Sequence, residues 1–236
     1  MTTTPLRLLL KVSGEVFRSR ESLFSPEPLH WLASEIQSLR AAGHTVAVVC
    51  GGGNLWRARD HAKQPLDRTV SDGLGMLATY YNACLLQPHL PGSRVWGVHA
   101  LPSLAEPYQA LRVRSSLAMG ELALLAGGTG NPYCSTDTAA ALRALELECD
   151  LLIKLTSADG VYDQDPNKYP HAVRYAHRTY DEVLQQHLQV MDMQAFALCR
   201  ANSLPIRVLR FGVPGLSLRA AAGEDVGTLI SHSASA

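Results

Sequence analysis

The sequence predicts an α/β fold, a three-layer αβα sandwich built on a mainly parallel open sheet. Three observations predict it. Short apolar, β-branched runs without polar alternation recur along the chain, as strands covered on both faces require. Segments with helical spacing of apolar residues separate them. Glycine-rich loops follow directly on two of the runs, starting at Gly51 and Gly127, where open α/β sheets bind ligands beyond the carboxyl ends of their strands. The 236 residues hold no fixed-period repeat and no low-complexity linker, so one domain spanning 1–236 is expected.

Each element has its own signal. Residues 6–12 read as a buried strand that ends at Lys11-Val12-Ser13-Gly14, and the polar, proline-bearing stretch 17–28 reads as a loop. Leu32, Ile36 and Leu39 mark one face of a helix over 29–42, stopped by Gly43. Residues 45–50 (TVAVVC) form a covered strand that opens at once into Gly51-Gly52-Gly53-Asn54. The pattern repeats as a helix over 70–86 and strands over 94–98 and 121–126. A helix over 136–148 and a strand over 151–155 come next. The stretch from there to Pro170 reads as loop. Short helices over 180–187 and 192–201, a strand over 206–209 and a short edge or terminal strand over 228–230 complete the chain.

Composition excludes several classes. Twenty-one basic residues balance 21 acidic ones, which argues against a nucleic-acid binder but leaves room for a pocket with local positive charge. The five cysteines never form a Cys-x-x-Cys pair, a pattern of reduced thiols in the cytoplasm. No apolar stretch approaches the roughly 20 residues of a membrane helix, and no signal peptide precedes the first strand. The expectation is a soluble cytoplasmic protein. His44, His61, His99, His171, His177 and His187 make no zinc pattern, and Ser13 lacks a Gly-x-Ser-x-Gly elbow.

The candidate chemistry gathers at predicted strand ends. Lys11 closes a strand of Leu and Val in a chain with only four lysines against 17 arginines. A lysine there offers a compact charge to a transferring phosphoryl group, or it is simply a solvated strand end. Gly51-Gly52-Gly53 lets backbone N–H groups approach an anion, with Arg57 near enough in sequence to add a guanidinium; a tight turn is the plainer alternative. The run Thr129, Gly130, Asn131, Pro132, Tyr133, Cys134, Ser135, Thr136 and Asp137 combines backbone freedom, donors and a carboxylate at a helix start. Ordinary capping by Ser135 or Thr136 explains part of it, and phosphate binding at the helix start explains all of it. Asp137 either holds Lys11 and Arg57 or acts through Mg²⁺. In the turn-rich loop after 151–155, Tyr162 offers a flat surface to a base and Asp165 an acceptor for ribose hydroxyls, unless both only shape turns. Asp163 and Asp165 lack the glycine and final glutamate of a calcium loop.

Taken in order, these blocks resemble the bacterial-type uridylate kinases of the amino acid kinase superfamily. The matching segments are LKVSGE at 10–15, VCGGGNLWR at 49–57, DGLGMLAT at 72–79, GTGNPY at 128–133 and STDTAA at 135–140. KLTSADGVY at 154–162, Asp165-Pro166, VMD at 190–192 and LPIRV at 204–208 continue the series, which covers roughly 7–230. The resemblance implies an amino acid kinase-like fold and transfer of a phosphoryl group from ATP to UMP in pyrimidine nucleotide synthesis. It implies an N-terminal half mainly for the acceptor and a C-terminal half mainly for ATP. Lys11, Val12, Ser13, Gly14, Gly53, Arg57, Thr156, Tyr162 and Asp165 would line the ATP site. Gly52, Asp72 and 129–136 would line the UMP site, with Asp72 accepting from the ribose hydroxyls. Lys11, Arg57 and Asp137 would serve catalysis, with Mg²⁺ carried mainly by the nucleotide phosphates. A homohexamer, activation by GTP and inhibition by UTP are implied as well.

Some positions depart from that pattern. Gly73 stands where the family commonly has histidine, and Cys134 where it has a second aromatic. Ser157 replaces a basic residue, and the glycines of the early loop are missing from 17–28. Those changes leave open a related kinase acting on another phosphorylated or phosphonate metabolite, and a non-catalytic nucleotide-binding regulator is the remaining alternative.

Overall fold

The computed structural model describes residues 4–19, 22–57, 60, 66–99, 101–166 and 168–233. Among these residues nine strands form one sheet: β1 (Arg7–Val12), β2 (Thr45–Cys50), β3 (Ser93–Gly97), β4 (Glu106–Pro107), β5 (Leu122–Ala126), β6 (Leu151–Thr156), β7 (His177–Thr179), β8 (Ile206–Arg210) and β9 (Thr228–Ser231). Their order is β4-β3-β5-β2-β1-β6-β8-β9-β7. Every neighbouring pair is parallel except β8 with β9.

Among the described residues seven α-helices cover the two faces: α1 (Pro26–Ala41), α2 (Arg68–Leu86), α3 (Ala110–Ala118), α4 (Thr136–Glu146), α5 (Tyr180–Gln185), α6 (Met193–Ala201) and α7 (Leu216–Ala221). Strand alternation sorts the core into two layers. Leu8, Leu10 and Val12 of β1 pack with Ile36 and Leu39 of α1, Leu86 of α2 and Ala220 of α7. Leu9 points the other way, among Leu117 of α3, Ala140 and Ala144 of α4 and Phe196 of α6. This is the three-layer arrangement expected from the apolar runs. Among the described residues no helix is long and apolar enough to cross a membrane.

Four elements lie where no strand or helix was expected: β4, α3, β7 and α7. β4 and β7 have only two and three residues, too short for a periodic signal. α3 buries Val113 and Leu117 but exposes Leu111 and Arg112, which blurs its apolar stripe. α7 is one and a half turns after a Pro-Gly turn. α1 starts at Pro26, inside the stretch read as a loop, because proline fits the first turn of a helix. β9 is not an edge strand; β7 lies outside it.

β1 sits at the middle of the order. Strands β2 to β5 extend to one side of it and β6 to β9 to the other. The carboxyl ends of β1 and β6 therefore flank the switch in strand order, where the crevice of such a sheet opens.

Candidate active site

Two lysines meet at that switch. Lys11 on β1 is the register partner of Lys154 on β6, so both side chains stand on the face covered by α4. Two ammonium groups side by side are unfavourable without an anion between them. Asp137, in the first turn of α4, supplies it: its Oδ1 lies 2.7 Å from Lys11 Nζ and its Oδ2 2.7 Å from Lys154 Nζ. The Lys11 contact is one of charge and proximity, without the direction of a good hydrogen bond. Lys154 also donates to the Val190 carbonyl at 2.7 Å.

Burial pushes the Asp137 carboxyl toward the neutral form, but the two lysines outweigh it and hold its pKa below the ordinary carboxylate value. Burial, with Lys11 adding to it, pulls the Lys154 ammonium down against the pull of Asp137. Lys11 is only 8% exposed, which removes the reading of it as a solvated strand end. Asp137 does not hold Arg57. Glu15 does, at 2.6 Å, and Arg57 Nε donates to the Gly53 carbonyl at 2.6 Å.

The glycine loop after β2 is packed from both sides. A β-carbon on Gly14 would lie 2.5 Å from the Gly51 carbonyl oxygen and 2.6 Å from Gly53 N. One on Gly52 would lie 2.6 Å from Ala78 Cβ and 2.8 Å from the Gly75 carbonyl oxygen. Glycine at both positions is what lets β1, the loop and α2 close together. A buried pair of asparagines fixes the loop from below: Asn82 Nδ2 donates to Gly51 O at 2.6 Å and to Asn54 Oδ1 at 2.8 Å. Ser13 starts the short 3-10 turn that follows β1.

Between this loop, α2 and the 127–136 segment lies an open cavity of about 290 Å³. Gly52, Gly53, Asp72, Thr129, Asn131, Cys134, Ser135 and Thr136 line it, together with Trp56, Ser71, Gly75, Met76, Thr79 and Gly128. Backbone and side chains tie its walls together. Thr79 Oγ1 accepts the Gly127 N–H at 2.7 Å, and buried Arg143 donates to the Gly128 carbonyl at 3.1 Å. Tyr133 adopts a left-handed φ of 65°, unusual for a residue with a side chain. Its N–H donates to Asp72 Oδ2 at 2.8 Å while the Arg68 guanidinium lies 4.4 Å over its ring. Ser135 caps α4 by accepting from Asp137 N and Thr138 N, and its hydroxyl donates to Asp192. Tyr133 itself faces a neighbouring depression with Arg68 and Asp192, and Gly130 and Pro132 shape the loop between them.

On the other side of the lysines, Thr156 ends β6 one residue beyond the Val12–Leu155 pair. Tyr162 and Asp165 lie further along the following loop. Tyr162 donates to Asp159 at 2.5 Å and bridges Arg174, and Asp165 is ion-paired with Lys168 at 3.8 Å. Their contacts are those of turns, and the structure does not bring them against Lys11.

The residues that sequence reasoning left unassigned are Lys154, Asn82, Thr79 and Trp56. Lys154 reads as one more strand residue until β6 is registered on β1; its charge inside an apolar run was the available signal. Asn82 and Thr79 lie on α2, where a polar residue in the buried stripe was the hint. Among the described residues no group of three or more His, Cys, Asp and Glu is placed to hold a metal ion. His61 lies outside the described residues.

Comparison with known proteins gives this geometry a family. Residues 7–210 match the model of the amino acid kinase family. The uridylate kinase of Xanthomonas oryzae pv. oryzae is 43% identical over 229 residues, 95% of each chain, and that of Pseudoalteromonas atlantica 42% over 241 residues, 98% of each. The crystal structure of a UMP kinase from Bacillus anthracis superimposes with a TM-score of 0.94 at 34% identity over 98% of both chains. That of Ureaplasma parvum gives 0.91 at 29%, over 97% of this chain and 99% of that one. With its lysine–aspartate centre at the strand switch and its glycine-walled cavity beside it, the chain belongs to the amino acid kinase family, within the uridylate kinases.

Proposed function

We propose that the protein transfers the terminal phosphoryl group of ATP to UMP, releasing ADP and UDP. The observation that carries this reading is the Lys11–Asp137–Lys154 centre beside a glycine-walled cavity that Asp72 helps to line. A phosphate oxygen of UMP attacks the terminal phosphorus, forming the new P–O bond as the bond to the bridging oxygen of ADP breaks. The acceptor needs no base, since a phosphate monoester loses its second proton at a pKa of about 6. Asp137, held ionised by two lysines, suits the positioning of charge and not proton abstraction. Lys11 meets the charge that builds on the transferring group, Lys154 is held beside it, and Arg57 adds a guanidinium from the glycine loop.

Both Asp137 oxygens face ammonium groups at 2.7 Å, which fits cation positioning better than metal ligation. We therefore assign Mg²⁺ to the phosphates of ATP, where it neutralises charge. On the acceptor side, Gly52, Asp72 and 129–136 are assigned to UMP. On the donor side, 11–14, Gly53, Thr156, Tyr162 and Asp165 are assigned to ATP. The homohexamer and the effectors GTP and UTP rest on the family resemblance. An exposed apolar groove along α2, with Leu77, Tyr81 and Leu104, supports burial against another copy. All five cysteines are free, in keeping with a reducing cytoplasm.

A second reading, a different phosphorylated acceptor, is favoured by one observation: a side chain at Gly73 would meet nothing within 4 Å, so the α2 wall has room there. Competition among UMP, dUMP, CMP, AMP and small phosphorylated metabolites decides between them. UMP is expected to lead dUMP and CMP by roughly tenfold in kcat/KM, about 1.4 kcal/mol of transition-state binding. Equal rates across pyrimidines, or turnover of only a non-nucleotide phosphate, overturns the UMP assignment.

A further inference from the structure

The donor side carries a cation that no step above uses. Arg210 ends β8, and its register partner on β6 is Thr156. Two residues earlier in the same register, Val208 pairs with Lys154. Side chains two apart on a strand share a face, so Arg210 stands on the face of Lys154 and Lys11, one pleat nearer the carboxyl edge. Ile206 and Val208 pack into the layer under α4 and α6, which fixes that face independently. Strand spacing puts the Cα of Arg210 roughly 12 Å from that of Lys11, two strands across and two residues along.

Arg210 is exposed, and its side chain has no hydrogen bond or ion pair among the described residues. Arg174, the other cation whose field reaches Tyr162, is turned to the Gly227 carbonyl. The loop after β6 opens with Ser157 and Ala158, then sets out Asp159, Asp163 and Asp165 before any basic residue. Those carboxylates are held by Tyr162, Val173 N and Lys168, and a polyanion settling between that loop and the lysine centre draws no positive charge from the first residues of the loop. Arg210 is aligned with the lysines to supply that charge, and its field reaches Tyr162 in that loop. A guanidinium suits phosphate oxygens, which it grips through paired N–H groups.

We propose that Arg210 binds the phosphates of the donor nucleotide. This inference rests on the kinase reading above, with ATP on the β6–β8 side. Its test compares the full-length wild type with Arg210→Gln and Arg210→Lys, by ATP and adenosine titration and by steady-state kinetics. In Arg210→Gln the Kd and KM for ATP are expected to rise roughly tenfold, with Arg210→Lys recovering part of the loss. The KM for UMP and the Kd for adenosine are expected to stay within about twofold, since neither engages donor phosphates. ATP affinity unchanged in Arg210→Gln, in a wild type that binds ATP and phosphorylates UMP, overturns the role of Arg210 alone. Equal losses for ATP and UMP, or for ATP and adenosine, overturn it too, because the effect is then not on donor phosphates. A wild type that neither binds ATP nor turns over UMP overturns both readings.

Discussion

The two sides of the lysine–aspartate centre are built differently. The acceptor cavity is walled by the long helix α2, the end of β5 and the start of α4. Long-range bonds fasten it: Thr79 to Gly127, Asn82 to Gly51, Arg143 to Gly128 and Asp72 to Tyr133. The donor side rests on strand ends and on the loop between β6 and β7. That loop is tied to the start of β9 by Val161 N to Thr228 Oγ1 and by Arg174 to the Gly227 carbonyl, while its outer turns are held locally, as between Tyr162 and Asp159 or Asp163 and Val173 N. A wall pinned from several elements is preformed and reads shape; turns held locally can adjust around a ligand. The centre itself belongs to neither side, since its three charges come from β1, β6 and α4. Damage to the centre is therefore expected in kcat, damage to the acceptor wall in the KM for UMP, and damage to the donor loop in the KM for ATP.

The largest effect is expected at the centre. Asp137→Asn leaves two buried ammonium groups facing each other without a counter-charge, and Lys11→Ala removes the cation proposed to meet the transferring group. Each is expected to lower kcat by about 10²-fold or more, as for loss of a main electrostatic donor. Only Asp137→Asn is also expected to lower the unfolding temperature strongly, because it strands buried charge. pH sharpens the point. With its pKa below the unfolded value near 3.8, Asp137 contributes stability that is fully present above that value. That contribution is lost as pH falls from there through the folded pKa. The acid unfolding transition of Asp137→Asn should accordingly lack this component. A kcat profile with a neutral-range inflection that vanishes in Asp137→Asn would make Asp137 a general base and overturn the positioning role.

Next comes the acceptor wall. Gly52→Ala places a methyl group 2.6 Å from Ala78 Cβ and 2.8 Å from the Gly75 carbonyl oxygen, so α2 must move away from the loop. Overpacking of this kind costs about 1–3 kcal/mol. The KM for UMP is expected to rise about tenfold, with the KM for ATP nearly unchanged. Gly53→Ala is the steric comparison, since its nearest neighbours would be Glu15 Cγ at 3.4 Å and Arg57 Nε at 3.5 Å, ordinary contact distances. If both variants lose UMP and ATP equally, the two sides are not separable in the way their construction suggests.

The sequence was most legible where one residue type had one physical use. Covered strands announced themselves through β-branched runs, and β2 spans 45–50, the bounds that the run alone indicated. Lys11 and Asp137 stood out because a charge beside an apolar strand end, or after eight loop residues, demands a partner. Their pairing with each other is one of the readings the sequence offers, and the structure has it; the second lysine is not among those readings. Asp137 reaches Lys154 only because β6 registers on β1, a pairing between residues 143 apart in sequence, and no local pattern encodes it. Arg57 was linked to Asp137 on the same grounds, and Glu15 took it instead from the 3-10 turn after β1. α3 and α7 escaped because their apolar stripes are short or partly exposed.

The smallest effect is expected at Cys134, which lines both the acceptor cavity and the depression beside Tyr133. The thiol is partly exposed and makes no contact with the lysine centre, so it is not part of the chemistry. Its influence is through volume alone. Cys134→Phe adds a ring to a wall otherwise made by Asn131, Ser135 and Thr136 and narrows the space offered to an acceptor base. Burying part of that ring against a bound base is worth about 1 kcal/mol or less, a change of roughly two- to fivefold in preference. The kcat/KM ratio of UMP to CMP is expected to shift within that range, while kcat with UMP and the KM for ATP stay within about twofold. A fall in kcat would mean that the left-handed turn at Tyr133 had been displaced together with Asp137 at the start of α4. A ratio that does not move would take Cys134 off the acceptor wall, leaving Asp72 and the backbone of 128–131 as the features proposed to read the base and ribose.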